Sequence, residues 1–194
     1  MMLGSRHLTI ALIVLLTGWA GCAPGAGGAI GEKVPPVHMP SETPRSDIRR
    51  IIATFAPVPW LVFDSESGGK IDGFKCSVFL ISPVTDPKTG KVRDSGVFGS
   101  GTIIVEMYLI EYGSQGRRTT TLLQTWELPP EEAYPWRSRE AKYPFGWGYG
   151  LRLPWDKKYD LVGEEIGIMI KYRRDDGIVV GTRMKELHVP LRGR

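Results

Sequence analysis

The stretch Thr102-Ile103-Ile104-Val105-Glu106-Met107-Tyr108-Leu109-Ile110-Glu111-Tyr112 decides the fold class. Ile103, Val105, Met107 and Leu109 fall on one side of a two-residue repeat, with Ile104, Glu106 and Tyr108 on the other. Successive side chains of an extended chain point to opposite faces, so this repeat predicts a β-strand with one face on a core. Its β-branched residues favour pleated backbone, where their restricted χ1 is no handicap. Working outward, the same period returns. Thr119 to Leu128 sets Leu122, Trp126 and Leu128 against a threonine face. Trp147, Tyr149, Leu151 and Leu153 share a phase, with Gly148 and Gly150 opposite. Ile166, Ile168, Ile170 and Tyr172 form a further run, and Arg174-Asp175-Asp176-Gly177 turns the chain into Ile178 to Val189, a hairpin by its Asp-Gly signal.

On the N-terminal side, Phe74 to Ile81 reads as a strand buried on both faces, with Cys76 in phase with Phe74, Val78 and Leu80. Asp86-Pro87-Lys88-Thr89-Gly90-Lys91 supplies turn chemistry, proline fixing φ and glycine accepting a left-handed conformation. Ile48, Ile51, Ile52 and Phe55 also fit helical spacing, but their β-branched content and the following Pro57 and Pro59 favour a short opening strand. Period-2 runs separated by turns, without an amphipathic helix, predict an all-β fold. A parallel α/β sheet would need crossover helices. The expectation is a single antiparallel β-sandwich over residues 48–194.

Composition agrees. The 194 residues include 24 glycines and 15 prolines, well above the usual ~12% for the two together. Hydrophobic residues at 42% and charged residues at 24% exclude a wholly disordered chain and a polytopic membrane protein. A net charge of +4, spread along the chain, does not argue for nucleic acid.

The N-terminus has a different character. Arg6 and His7 precede an apolar run from Leu8 to Leu16, and the chain then turns small at Gly18-Trp19-Ala20-Gly21-Cys22. A basic start, an apolar stretch of ~7–15 residues and a small-residue exit describe a secretory signal peptide over residues 1–21. The run is too short for the ~20 apolar residues of a membrane span. Ala20-Gly21-Cys22 resembles the end of a bacterial lipobox, whose cysteine receives a diacylglyceryl thioether; Trp19 stands where leucine is usual. Ordinary secretion after a nearby small-residue site, or an uncleaved anchor, are the alternatives. Lipidated Cys22 would make membrane lipid a partner, and Ala23 rather than aspartate after it resembles an outer-membrane address. Residues 22–47, with Ala23-Pro24-Gly25, Pro35-Pro36 and Ser41-Glu42-Thr43-Pro44, read as a flexible linker. Such a coil spans roughly 25–30 Å.

The leader, the linker and the stretch from Lys70 to Val189 together resemble uncharacterised lipoproteins of planctomycete-type bacteria, which share a lipobox, a Pro/Gly linker and one compact β-sandwich. The resemblance rests on the Asp86–Lys91 hairpin, the Leu122-Leu123-Gln124-Thr125-Trp126 strand, Tyr149-Gly150-Leu151-Arg152-Leu153-Pro154 and the closing Asp-Asp-Gly hairpin. It implies a fold and an anchor, and no activity.

Catalytic patterns are not evident. His7 and His38 lie before the domain, leaving His188 inside it, short of the three or four convergent ligands of a zinc site. Gly99-Ser100-Gly101 is not a nucleophile elbow, and Thr89-Gly90-Lys91 is not a phosphate loop. The glycines of Phe145 to Gly150 are wrongly spaced for a dinucleotide. Adjacent acidic pairs do not face each other across a cleft as a glycosidase requires. Cys76, out of reach of a histidine, reads as a small buried hydrophobe. Asp64, Glu66 and Asp72 form a candidate calcium loop without a recognisable ligand pattern. No catalytic residue, metal or cofactor is expected.

Aromatic residues stand out. Trp60, Trp136 and Trp155 each follow proline, which places them in loops or at strand ends. Such tryptophans either cap a sandwich core or stack on sugars and partner side chains. On the second reading Trp136, Arg137, Arg139 and Trp155 are the candidate ligand contacts. The expectation is a non-enzymatic, lipid-anchored envelope protein whose domain plays a structural part or binds another envelope component, a protein or a polysaccharide; the alternative is a carbohydrate-binding module that uses the loop tryptophans.

Overall fold

At Asp86 the carboxylate accepts the N–H of Lys88 (2.8 Å), and the Gly90 N–H returns to the Asp86 carbonyl (2.8 Å) with Gly90 at φ 65°. The expected turn therefore forms, and it folds one strand back on the next. Arg174, Asp175, Asp176 and Gly177 do the same, with Gly177 at φ 83° and the Arg174 N–H donating to the Ile178 carbonyl. Only glycine takes these φ values without steric cost. The computed structural model describes residues 42–64, 68–139 and 144–191. The segment read as a signal peptide, residues 1–21, and most of the segment read as a linker, residues 22–47, lie outside the described residues.

Eleven strands among the described residues form two antiparallel sheets, as the period-2 runs predict. In the first, β1 (Arg50–Thr54) and β2 (Trp60–Leu61) share one side of the long β3 (Gly73–Thr85). On its other side lie β4 (Val92–Val97) and β8 (Trp147–Pro154), with β7 (Arg137–Arg139) beyond β8. In the second, β10 (Val179–Gly181) and β11 (Lys185–His188) share one side of β9 (Glu165–Arg173), followed by β5 (Thr102–Tyr112) and β6 (Arg118–Leu128). A one-turn helix α1 (Pro130–Ala133) and a 3-10 turn at Tyr134–Trp136 connect β6 to β7.

The core lies between the sheets. Phe74, Cys76, Val78 and Leu80 from β3 meet Tyr149, Leu151 and Leu153 from β8; Ile103, Val105 and Met107 from β5 meet Ile166, Ile168, Ile170 and Tyr172 from β9. All are buried. Burying such side chains is worth ~1.5–3 kcal/mol each, and it fixes the register because a one-residue slip would turn them outward.

Four details differ from the sequence expectation. The two-sided burial read for Phe74 to Ile81 holds only in the later part: Lys75 is exposed, while Phe79 and Ile81 are buried on the outer face. There Phe145 packs on Phe79 at 5.2 Å, and Gly148 is needed because a Cβ would come 2.7 Å from the Phe79 ring. On β6, a bulge falls between the partners of Met107 and Tyr108, leaving Leu123 as the extra residue. The phase therefore reverses, and Leu122 turns outward at 51% exposure while Trp126 and Leu128 stay in the core. Ile178 to Val189 is two short strands rather than one, because Thr182 interrupts pairing to β9 by exchanging bonds with Ile170. Finally, the end of the segment read as linker is joined to the sandwich: the Arg45 N–H donates to the Phe98 carbonyl (2.8 Å), and the Ser82 hydroxyl donates to the Asp47 carbonyl (3.3 Å).

Candidate functional site

The aromatic residues expected at a binding surface sit elsewhere. Trp136 is 8% and Trp155 5% exposed, and both belong to the core. Trp155 meets Trp60 edge-on (6.5 Å, 73°) and closes one end of the sandwich, while Trp136 is carried inward by the 3-10 turn. Neither offers a face to a sugar in this arrangement; of the two readings open for them, their packing favours capping of the core. Arg137 is also buried, its guanidinium stacked over Phe98 (4.5 Å) and Tyr134 (4.7 Å). Arg139 remains exposed, over the half-buried Trp147 at 5.6 Å.

Around Arg137 lies a small polar interior. The Gly99 N–H donates to the Tyr149 hydroxyl (3.0 Å), and the Gly101 N–H donates to the Tyr172 hydroxyl (2.7 Å). Burial pushes both phenols above their usual range. They stay protonated and pin the β4–β5 turn across the end of the sandwich. No carboxylate pairs with Arg137 among the described residues, and its cation is held by aromatic faces instead.

The other chemical candidates have structural roles. Cys76 is buried, and burial pushes its thiol up to about 12, so it is neither a nucleophile nor a ready disulfide partner at neutral pH. His188 is exposed on β11, opposite Glu165. Asp72 spends its carboxylate on the backbone N–H groups of Phe63 (2.6 Å) and Asp64 (2.9 Å), and Lys157 reaches Asp64 (2.7 Å). Glu66, the remaining member of the proposed calcium loop, lies outside the described residues. Among the described residues no cluster of His, Cys, Asp or Glu is placed to hold a metal, and no helix is long and apolar enough to cross a membrane.

A groove of about 690 Å³ opens where the two sheet edges meet. Its walls are β1 and the residues after it on one side, and the β10–β11 connection on the other. Ile51, Ile52, Ala53, Phe55 and Met184 give it an apolar lining, and Arg50, Arg183 and Lys185 charge its rim. No acidic residue lines it among the described residues. Asp94 approaches Arg50 at 3.4 Å from an exposed position, and Glu186 is turned to Arg118 on the outer face. The Thr182 N–H donates to the Ile170 carbonyl (2.8 Å), and the Ile170 N–H donates to the Thr182 hydroxyl (3.1 Å). These bonds hold the Arg183–Lys185 wall to β9.

The sequence reading missed this groove. Its signals were modest: Arg49-Arg50 abutting Ile51-Ile52, and the Arg183-Met184-Lys185 run. Nothing local says that the two segments face each other. No protein-family model, curated protein or solved structure matches the chain.

Proposed function

We propose that this chain is a lipid-anchored protein of the bacterial cell envelope, with a non-enzymatic binding role. The leader carries the reading: a basic start, a short apolar run and Ala20-Gly21-Cys22 are what a lipoprotein-processing pathway recognises. Two or more acyl chains on Cys22 give stable anchoring at ~0.8 kcal/mol per buried CH₂, whereas one chain holds only marginally. The Gly/Pro-rich residues that follow then act as a tether, and Ala23 supports an outer-membrane address. The resemblance to planctomycete-type lipoproteins supports the same arrangement of anchor, tether and sandwich.

A binding role is supported by the groove, which joins an apolar lining to a positive rim on which Arg50 meets Asp94 while Arg183 and Lys185 have no ion-pair partner among the described residues. A carbohydrate-binding role through Trp136, Arg137, Arg139 and Trp155 is the weaker reading, since both indoles are committed to the core. The anchor is tested by expressing the full chain and its Cys22→Ser variant in a lipoprotein-processing bacterium fed labelled palmitate. Label and membrane retention in the wild type, both lost in the variant, support the proposal. Equal retention without label in the two proteins contradicts it.

A further inference from the structure

We infer that the groove between β1 and the β10–β11 connection binds an extended acidic segment of a neighbouring envelope protein, taken up as an added strand on β1. The inference rests on the binding role proposed above, though not on the anchor.

Shape is the first argument. β1 pairs with β3 on one side only, so its other edge carries main-chain donors and acceptors without a strand partner among the described strands. Unpaired edges of this kind are templates for strand addition. Natural edges are commonly guarded by charges pointing along them or by proline, yet β1 reads Arg50-Ile51-Ile52-Ala53-Thr54, with its one charge at the end. At ~3.3 Å per residue its five residues give a seat of about 17 Å, enough for a short extended peptide.

Charge is the second argument. Arg50, which Asp94 approaches at 3.4 Å from outside the groove, stands at one end of β1, and Arg183 and Lys185 stand across the groove from it, without an acidic residue in the described lining. Arg183 and Lys185 have no ion-pair partner among the described residues. A cationic rim over an apolar trough complements a segment that alternates carboxylates with aliphatic side chains. Aliphatic residues would face Ile51, Ala53, Phe55 and Met184, and carboxylates would face the rim. A polysaccharide would be expected to meet flat aromatic platforms, and among the described lining residues the half-buried Phe55 is the one aromatic.

The test uses the full chain in mild detergent and a fluorescently labelled, end-blocked heptapeptide alternating glutamate and valine, read by anisotropy. Three comparisons accompany it: the Lys/Val counterpart, the Glu/Val peptide N-methylated at alternate amides, and the Arg183→Glu/Lys185→Glu double variant. Both residues are exposed, so circular dichroism of the variant should match the wild type. The expected result is saturable binding of the Glu/Val peptide, weakened about tenfold or more by each change and weakened by added salt. Equal binding of the Lys/Val peptide, or full binding by the double variant, overturns the assignment of the groove. Undiminished binding after N-methylation overturns strand addition. Phosphatidylglycerol vesicles or polygalacturonate binding in a manner lost in the double variant, while the Glu/Val peptide fails to bind, overturns the peptide assignment in favour of a lipid or a polysaccharide. These failures leave membrane retention through Cys22 untouched, so they are distinguishable from failure of the anchor.

Discussion

Replacing Trp155 by alanine separates a core role from a contact role for the proline-flanked tryptophans. Trp155 is 5% exposed and sits edge-on against Trp60 at 6.5 Å. Its backbone N–H donates to the Asp72 carbonyl (2.9 Å), a bond that alanine keeps, so the loss falls on the side chain. A buried aromatic side chain hides ~150–250 Å², which at ~25 cal/mol per Å² is worth about 4–6 kcal/mol. Truncations of this kind in protein cores cost ~3–5 kcal/mol. For a domain of this size each kcal/mol moves the midpoint by ~2–4 °C, so Tm should fall by about 6–20 °C. Urea unfolding followed by circular dichroism gives the free energy, and Tyr112→Ala at a 56% exposed position is the comparison, expected within ~0.5 kcal/mol of wild type. A Trp155→Ala protein within about 1 kcal/mol of wild type would refute the core placement and restore the tryptophan as a surface residue.

Three further outcomes are expected. Tyr172→Phe leaves the buried Gly101 N–H without its acceptor, and should destabilise the fold by ~1–3 kcal/mol in the same urea assay. Glu106 is pushed up by burial, but hydrogen bonds from Lys171 (2.6 Å) and Tyr108 (2.5 Å) overcome this and hold its carboxyl below the usual 4.5. A depressed folded pKa contributes stability above the ordinary value that is lost as pH falls through the depressed one. Glu106→Gln should therefore cost ~1–3 kcal/mol at pH 7, and urea titrations from pH 7 downward should show that gap closing below pH 4.5. The Cys76 thiol, pushed up to about 12, should resist iodoacetamide in the native protein at pH 8 and react in denaturant, as read by peptide mass; rapid native labelling would contradict its burial.

The strands were legible because burying one face of a sheet imposes a two-residue period on the chain. Ile103, Val105 and Met107, and likewise Ile166 to Tyr172, are core residues for that reason. The turns at Asp86 and Gly177 were legible from chemistry that acts within a few residues. A bulge is harder to see: Leu123 adds a single residue, which reverses the face of Leu122 without altering the look of the sequence. Proline before Trp136 and Trp155 does mark the end of regular structure, but what closes over a loop residue depends on distant partners such as Trp60. The groove is the extreme case. Arg50 to Phe55 and Gly181 to Lys185 become neighbours only after β1 has paired with β3, β11 with β9, and the sheets have stacked.

The most direct test of the proposed role is the mass of the N-terminal peptide of the mature protein, isolated from the membranes of a lipoprotein-processing bacterium. The account predicts a chain that begins at Cys22 and carries the mass of a diacylglyceryl group and an N-terminal acyl chain. A chain that begins elsewhere, or one that retains an unmodified Cys22, would contradict it.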